Sequence, residues 1–369
     1  MPETPPQVAI ILPFRRANAT SERCVAACLA QDDPNLRLIL ACEDPEGKSW
    51  DDPRVTVLAT GPTTIAGRRN QALNAAPEVA WYAFIDSDAF PRQDWLHRGI
   101  QAFGRLPKDV WAVGGPNLPP PDEPWPARVV GWASQSFLVS GMRGYLRSQG
   151  TSRFSQDLPT CNLIVSGPAL REMGGFCEEL VGGEDQDLCN RILSRGGRIY
   201  FDREVVVYHE NRPLLRPFLL QRLFMGYCGV LPILRRHPRL RNLYMLAPLV
   251  LVLILLGGML GALVEPAWIP AVAALWGSFL ALCLIQAARW APPSAIPLTA
   301  LALAVGCLAP GLGTLLALLG VRLDLRSRNR NDWLRPAQGP SRVEERKDTS
   351  PGTCPPDSPG SRIPGIPSH

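Results

Sequence analysis

Short apolar runs alternate with polar segments marked by Gly and Pro up to about residue 207, a pattern typical of an α/β domain. Four of the early runs are rich in residues that favour strands, and segments with helical spacing separate some of them. These runs are 8–12, 36–41, 55–58 and 79–85. Strands that alternate with helices predict a parallel sheet with right-handed crossovers. Ser21 is predicted to cap the first helix, and "TIAGRRNQALNAA" is predicted to form the second.

The pattern continues with strands predicted in "DVWAVGGPN" and "TCNLIVSG", joined by a Pro-rich connection over 116–126. A helix is predicted in "GGEDQDLCNRILSRGG", because acidic residues crowd its first turn and glycines flank both ends. Leu188 and Ile192 share one face of this helix. Two short strands are predicted in "RIYFDREVVVYHENR", and the second of them ends at His209.

From residue 242 to residue 320 the chain is nearly free of charge, with only Glu265 and Arg289 interrupting. A hydrocarbon layer about 30 Å thick needs roughly 20 apolar residues per helix, so this region is predicted to lie in a membrane. Its three hydrophobic stretches are 243–264, 267–288 and 295–320. Residues 213–241 mix apolar positions with arginines, which predicts an amphipathic helix in the membrane interface.

The number of membrane crossings stays open between two arrangements. Basic segments precede the first hydrophobic stretch and follow the last, and both would prefer the cytoplasm, yet three crossings would separate them. Pro310, Gly311 and Gly313 interrupt the third stretch near its middle. It could therefore be a third span, or a re-entrant hairpin or broken helix after two spans.

Composition and the N-terminal sequence add three expectations. The tail over 321–369 is basic at first and then rich in Pro, Ser and Gly, which predicts disorder. The ten cysteines form no CxxC pair and no Cys/His constellation in the sequence, which predicts reduced thiols in a cytosolic compartment and no structural zinc. The short apolar run at the N-terminus has no basic residues before it, so no signal peptide is predicted.

The candidate chemistry begins with Asp86-Ser87-Asp88, which follows the fourth predicted strand. Open α/β sheets bind ligands at the carboxyl ends of their strands. Two carboxylates at that edge can hold Mg²⁺ or Mn²⁺, with phosphate oxygens completing the coordination. A polar turn that merely leaves the sheet is the alternative.

Two further features carry chemistry and also have plainer explanations. Glu184, Asp185 and Asp187 could offset the dipole of the helix that they begin, or one of them could act as a general base. His209 could be a hydrogen-bonded structural residue, or its neutral imidazole could complete a metal site.

Together these segments resemble the family 2 glycosyltransferases, which have the GT-A fold. The resemblance covers roughly the first 240 residues. It rests on "VAIILPFRR", the acidic pair at 43–44, "GRRNQAL", "WYAFIDSDAFPRQDWL", "TCNLIVSGPALREMGGF" and "VGGEDQDLCNRILSRGGRIYFDREVVVYHENR". The basic helix and the membrane segments that follow resemble the membrane-attached branch that builds exopolysaccharide repeat units, the succinoglycan glucosyltransferase type.

The resemblance implies that Pro13, Glu43, Asp44 and Arg69 contact the nucleotide. The family has Asp-Asp where this chain has Glu43-Asp44, so Asp44 is favoured as the residue that contacts the base. Asp86 would face the ribose and diphosphate.

The remaining implied roles concern the metal and the acceptor. Asp88 and His209 would hold a divalent ion, Mg²⁺ or Mn²⁺, and Asp88 would also contact the nucleotide sugar through it. Asp185 would be the catalytic base. Glu184 and Asp187 would orient that base or the acceptor.

The resemblance thus implies a catalytic GT-A, Rossmann-like domain over 1–212, an interfacial helix over 213–241, a membrane region over 242–320 and the tail over 321–369. The expected activity is inverting transfer of a sugar, from a UDP-sugar by preference, to a lipid-linked or polysaccharide acceptor. The expected location is the inner or plasma membrane, with the catalytic domain in the cytoplasm and no nucleic acid as partner.

Three other functions fit the sequence less well. A processive synthase is disfavoured because "QRLFM" replaces the Gln-x-x-Arg-Trp that polymerising members carry. An inactive module that binds a sugar nucleotide would have no need of the base at Asp185. A transporter is disfavoured because Glu265 and Arg289, the charges of the membrane region, lie near the ends of hydrophobic stretches.

Overall fold

The computed structural model describes residues 8–33, 35–45, 47–141 and 151–323. By its contacts the chain divides into two compact units. Their described residues are 8–120 and 151–210 in the first unit, and 121–141 and 211–323 in the second. The tail that the sequence predicts to be disordered lies outside the described residues from residue 324 onward.

The first unit contains the strands. They are β1 Val8–Phe14, β2 Leu36–Cys42, β3 Val55–Ala59, β4 Trp81–Phe84, β5 Ala89–Pro91, β6 Val110–Gly114, β7 Asn117–Leu118, β8 Arg153–Ser155, β9 Leu163–Ser166, β10 Arg198–Phe201 and β11 Val207–His209. Eight strands form one sheet in the order β3-β2-β1-β4-β9-β6-β10-β8, and the other three form a small sheet in the order β5-β11-β7.

The large sheet is mixed. The predicted parallel pairing is confirmed for β1 with β2 and β4, and for β2 with β3. β6 and β10 are also parallel. β9 lies between β4 and β6 and runs antiparallel to both, and β8 is an antiparallel edge strand.

Helices of both units complete the element list. They are α1 Ala19–Leu29, α2 Ile65–Ala75, α3 Trp95–Arg105, α4 Trp125–Gln135, α5 Phe137–Ser140, α6 Gly167–Glu172, α7 Glu184–Ser194, α8 Arg216–Phe224, α9 Leu231–Arg236, α10 Ala247–Val264, α11 Ile269–Trp290 and α12 Ile296–Leu318. The N-cap of α1 is Asn18 rather than the predicted Ser21. Asn18 Oδ1 accepts from the backbone N–H of Ser21, and Ser21 Oγ accepts from that of Asn18, so Ser21 is the inner member of a capping box.

The central strands of the large sheet are buried on both faces. Side chains alternate along a strand, so Ala9 and Ile11 of β1 enter one hydrophobic cluster while Val8, Ile10 and Leu12 enter another. A strand buried on both faces needs a continuous apolar run, which is why "VAIIL" is apolar at every position. This rigid centre holds the strand ends that carry the polar residues.

Most described cysteines are buried free thiols. Cys177 is disulfide-bonded, so the expectation that all ten cysteines are reduced is wrong at this residue.

The second unit contains helices with strongly apolar surfaces. Within the described residues, four helices are long and apolar enough to cross a membrane: Arg216–Arg236, Leu240–Val264, Pro266–Trp290 and Pro293–Leu318. The sequence predicted an interfacial helix where the first of these lies, and it predicted two or three spans for the others. Residues on α10 such as Leu260, Leu263 and Val264 are exposed, as lipid-facing side chains would be.

The third hydrophobic stretch forms one helix, α12, that continues through Pro310 without the break considered above. Proline has no N–H to give to the carbonyl four residues earlier, which leaves the oxygen of Gly306 without its helical donor. Arg222 Nη2 donates to that oxygen at 2.9 Å. Arg222 therefore supplies, inside the second unit, the hydrogen bond that Pro310 cannot donate.

Gly226 and Gly229 offer a matched test of packing in this unit, since both lie in the π-helical turn Met225–Val230. A Cβ at residue 226 would overlap the carbonyl oxygen of Pro310, whereas one at residue 229 would meet open space. We expect Gly226→Ala to destabilise the protein by about 1–3 kcal/mol. Gly229→Ala should be neutral or stabilising by up to about 1 kcal/mol, because alanine favours a helix. Thermal unfolding of the full chain in detergent measures both, and equal losses would contradict this packing.

Candidate active site

The candidate site lies at the carboxyl ends of the central strands of the first unit. Asp86, Ser87 and Asp88 connect β4 to β5, and Ala89 N donates to Asp86 O at 3.0 Å to close the turn. Cys24 Sγ from α1 donates to the same carbonyl at 3.6 Å. Because the backbone oxygen of Asp86 is engaged in this way, the turn has a fixed conformation from which the two carboxylates project.

Arg69 of α2 joins two of the predicted acids. Its side chain is 1% exposed, Nη2 donates to Asp86 Oδ1 at 2.9 Å, and Nη1 donates to Glu184 Oε1 at 2.8 Å. Burial acts to lower the pKa of Arg69, but the carboxylates of Asp86 and Glu184 outweigh it and raise that pKa. The guanidinium therefore stays charged and ties the turn after β4 to the start of α7.

Asp185 belongs to the same cluster. It lies in the first turn of α7 behind Gly183, whose φ of 86° is in the left-handed region that favours glycine. Its Oδ1 accepts from the backbone N–H of Gln186 at 2.8 Å. Its neighbour in the chain, Glu184, is hydrogen-bonded to Arg69, and the charge of Asp185 contributes to raising the pKa of that arginine. The positive end of the helix favours the ionised carboxylate.

The small sheet brings Asp88 and His209 together. β11 pairs with β5 in a register that sets His209 opposite Ala89, and Glu210 N donates to Asp88 O at 3.0 Å. As a result His209 Nε2 lies 3.4 Å from Asp88 Oδ1, and both side chains are partly exposed. These two predicted metal ligands are thus neighbours although 121 positions of sequence separate them.

Cys161 is a member of the site that the sequence did not reveal. One donor atom each from Asp86, Cys161 and His209 lies within 4.8 Å of the others. The thiol is buried, which raises its pKa well above the usual value, and the charges of Asp86, Asp88 and Asp185 raise it further. The sequence spacing shows no Cys/His constellation, and only the fold brings Cys161 and His209 together.

The donor set fits a divalent cation. His209 has a ring nitrogen within 4.8 Å of an Asp86 carboxylate oxygen, and its Nε2 lies 3.4 Å from Asp88 Oδ1, all at a partly exposed edge of the sheet. Mg²⁺ and Mn²⁺ favour oxygen donors, and Mn²⁺ also accepts imidazole.

Glu43 and Asp44 lie beyond the end of β2 and differ in accessibility. Glu43 Oε2 accepts from Arg15 Nε at 2.9 Å and from Arg68 Nη2 at 2.7 Å. Burial lowers the pKa of Arg68, which Glu43 partly offsets. The Asp44 side chain is 49% exposed, with Arg16 at 3.7 Å. Asp44 is therefore the more accessible carboxylate, while Pro13 lies buried within β1.

Asp187 is not part of this cluster. It is fully buried and accepts from Arg191 Nε at 2.8 Å, while Arg191 also donates to the carbonyls of Met173 and Gly175. A carboxylate enclosed in this way does not reach an acceptor, whereas orientation of the base by Asp187 stays a prediction. Glu184 is bound to Arg69 and is positioned to orient that arginine.

No family model matches the chain. The chain is 31% identical over 180 residues to the pre-mycofactocin glycosyltransferase of Mycobacterium tuberculosis, a match that covers 47% of this chain and 35% of that protein. The chain thus spans about a third of that relative's length. It is 22% identical over 231 residues to the glycosyltransferase AglE of Haloferax volcanii, covering 58% of this chain and 70% of that one.

Among solved structures, the chain is similar to the mannosyltransferase PcManGT of Pyrobaculum calidifontis, which was solved in complex with GDP-Man and Mn²⁺. The TM-score is 0.51 at 18% identity, and the match covers 87% of this chain and 89% of that one. The fold is therefore a GT-A-like mixed α/β sheet, followed by helices long and apolar enough to cross a membrane. The relatives of this chain are glycosyltransferases.

Proposed function

We propose that this homologue of glycosyltransferases is an inverting family 2 enzyme that moves one sugar from a nucleoside diphosphate sugar to an acceptor. Arg69 joins Asp86 to the start of α7, where Asp185 lies, and His209 lies beside Asp86 and Asp88. This linked group of side chains at one edge of the sheet is the observation that carries the proposal. It combines a candidate base with candidate metal ligands, which a module that only binds a sugar nucleotide would not need.

The donor would lie along the carboxyl ends of β1, β2 and β4. Asp44 would contact the base, and Asp86, held by Arg69, would face the ribose and diphosphate. A UDP-sugar is our first candidate. PcManGT has a similar fold and was solved with GDP-Man, which makes a guanosine donor the second.

Asp185 would act as the general base. It would accept the proton of an acceptor hydroxyl as that oxygen forms a bond to the anomeric carbon, and the bond from this carbon to the nucleoside diphosphate would break on the opposite face. The nucleoside diphosphate leaves with the electron pair, so no covalent enzyme intermediate is needed. The start of α7 would keep Asp185 ionised before reaction, as a base requires.

Asp88 and His209 would hold a divalent ion, Mn²⁺ or Mg²⁺. When bound, such an ion neutralises negative charge on a diphosphate leaving group. Arg69 would hold Asp86 in place and remain cationic throughout, because its two carboxylate partners raise its pKa.

The acceptor would be lipid-linked or a growing polysaccharide at the inner or plasma membrane, with the catalytic domain on the cytoplasmic side. The four apolar helices support an acceptor at the membrane. We favour a single-addition enzyme of the exopolysaccharide-building type over a processive synthase, because "QRLFM" lacks the tryptophan of the polymerising motif.

The test is a donor screen with the full chain in detergent, measuring nucleoside diphosphate release. At least one nucleotide sugar should be turned over with Mn²⁺ or Mg²⁺, and chelation should abolish turnover. Asp88→Ala should lower turnover by about 10²-fold or more, because a ligand is lost from the metal site. Asp109→Ala is the matched control, since that exposed acid pairs with Arg198 outside the cluster. Turnover that survives both chelation and Asp88→Ala would refute the metal-dependent mechanism.

A further inference from the structure

We propose that Asp86, Cys161 and His209 form a binding site for a soft divalent ion of the Zn²⁺ or Cd²⁺ class. This site overlaps the one proposed above for Mn²⁺ or Mg²⁺ but includes the thiol and does not include Asp88. The proposal goes beyond sugar transfer, because metal binding alone tests it.

Geometry is the first support. The three donor atoms lie within 4.8 Å of one another. Around zinc, ligand distances of about 2.0–2.3 Å place tetrahedral donors roughly 3.3–3.7 Å apart. The donors need to approach one another by only about an ångström, which small side-chain rotations provide.

The position of the thiol is the second support. Cys161 lies in the 3₁₀ turn Thr160–Asn162, directly before β9. The Asn162 side chain donates to the carbonyls of Pro116 and Val205 and accepts from Trp95 Nε1. These three hydrogen bonds are buried in the first unit and fix the conformation of the turn. The sulfur of Cys161 therefore has a defined position beside Asp86 and His209.

Asn117 provides the third support. Its Nδ2 donates to Cys161 Sγ at 3.1 Å, and its side chain is buried. Its Oδ1 has no hydrogen-bond partner among the described residues. The hydrogen bond to the Cys161 sulfur is therefore the one that the structure records for this buried side-chain amide. N–H donors to sulfur commonly accompany thiolate ligands and orient them.

Ligand preference separates this site from the one for the hard ion. A thiolate selects Zn²⁺ or Cd²⁺, whereas carboxylate oxygens suit Mg²⁺ and Mn²⁺. His209 belongs to both donor sets, so a soft ion held by Cys161 and a hard ion held by Asp88 exclude one another. Binding replaces the thiol proton, which passes to solvent, with a sulfur–metal bond. Zn²⁺ should therefore inhibit the proposed turnover of a nucleotide sugar by competing with Mn²⁺.

The experiment titrates the full chain in detergent with CdCl₂ alone and records the ultraviolet sulfur-to-cadmium charge-transfer absorption, with calorimetry for affinity. Cys161→Ser should remove one saturable component of the band and weaken that binding by at least about 100-fold. His209→Ala should weaken it similarly, and Asn117→Ala by about 10-fold. Cys189→Ser is the matched control, because this buried thiol donates a hydrogen bond to the carbonyl of Leu158. This substitution should leave the saturable component of the band intact.

Thermal unfolding of each variant verifies that it folds, and the serine substitution changes little volume. A cadmium band that Cys161→Ser and His209→Ala leave unchanged would overturn the proposal. A wild-type chain that turns over no nucleotide sugar would defeat the proposed function without altering the cadmium result, so the two failures are distinguishable.

Discussion

Asp185→Asn should lower the rate of sugar transfer by about 10²–10⁴-fold, the range expected when a general base is lost. Asparagine can still accept the hydrogen bond that Gln186 donates, so α7 should begin as before. In the proposed mechanism the donor is bound through Asp44, Asp86 and the metal site rather than through Asp185, so the KM for the donor should change little. Steady-state kinetics with the donor found in the screen measures kcat and KM separately.

Glu179→Gln is the control for this substitution, since that glutamate is exposed and precedes α7 by five positions. It removes the same charge without touching the cluster and should leave kcat unchanged. Full transfer by the Asp185→Asn variant would show that another group accepts the proton.

Arg69→Met should destabilise the protein by about 3–5 kcal/mol, the loss expected when one partner of a buried ion pair is removed. Asp86 and Glu184 would be left as neighbouring carboxylates without the guanidinium that links them. Adding Glu184→Gln should restore part of the loss, because it removes one of the two charges. Denaturant unfolding of the full chain measures each variant.

Arg68→Met is the matched control for Arg69→Met, since Arg68 is the adjacent residue of α2 and is also largely buried. Its partner Glu43 retains a second hydrogen bond, from Arg15, so the loss should be smaller. If both variants were equally destabilised, the bridging position of Arg69 would not be the cause.

The fold was predictable where the sequence pattern is strong. β1, β2 and β3 coincide with apolar runs to within two residues. For β1 and β2 the reason is that strands buried on both faces require such runs. The antiparallel direction of β9 was not predictable, since an apolar run carries no information about direction. β5 and β7 have three and two residues, too few to show a period.

The site was predictable where one helix or turn carries several acids, and not where tertiary contacts decide. Arg69 and Glu184 are 115 positions apart, and Cys161 meets His209 only because β9 and the small sheet converge. Asp187 is different, since helical geometry alone places residues two apart about 200° from one another around the axis. That spacing already indicates that Asp185 and Asp187 cannot both face the same cleft.

The bond from Arg222 to Gly306 has a consequence for biosynthesis. The carbonyl oxygen of Gly306 that accepts this bond lies 84 positions after Arg222, in the last of the four long apolar helices. The ribosome therefore completes the helix Arg216–Arg236 well before it synthesises Gly306, whose carbonyl accepts this bond. Until then the guanidinium lacks this hydrogen bond and keeps contacts such as the one from Nη2 to the Val139 carbonyl at 3.4 Å, so this helix can form its final contacts only after α12 has been synthesised.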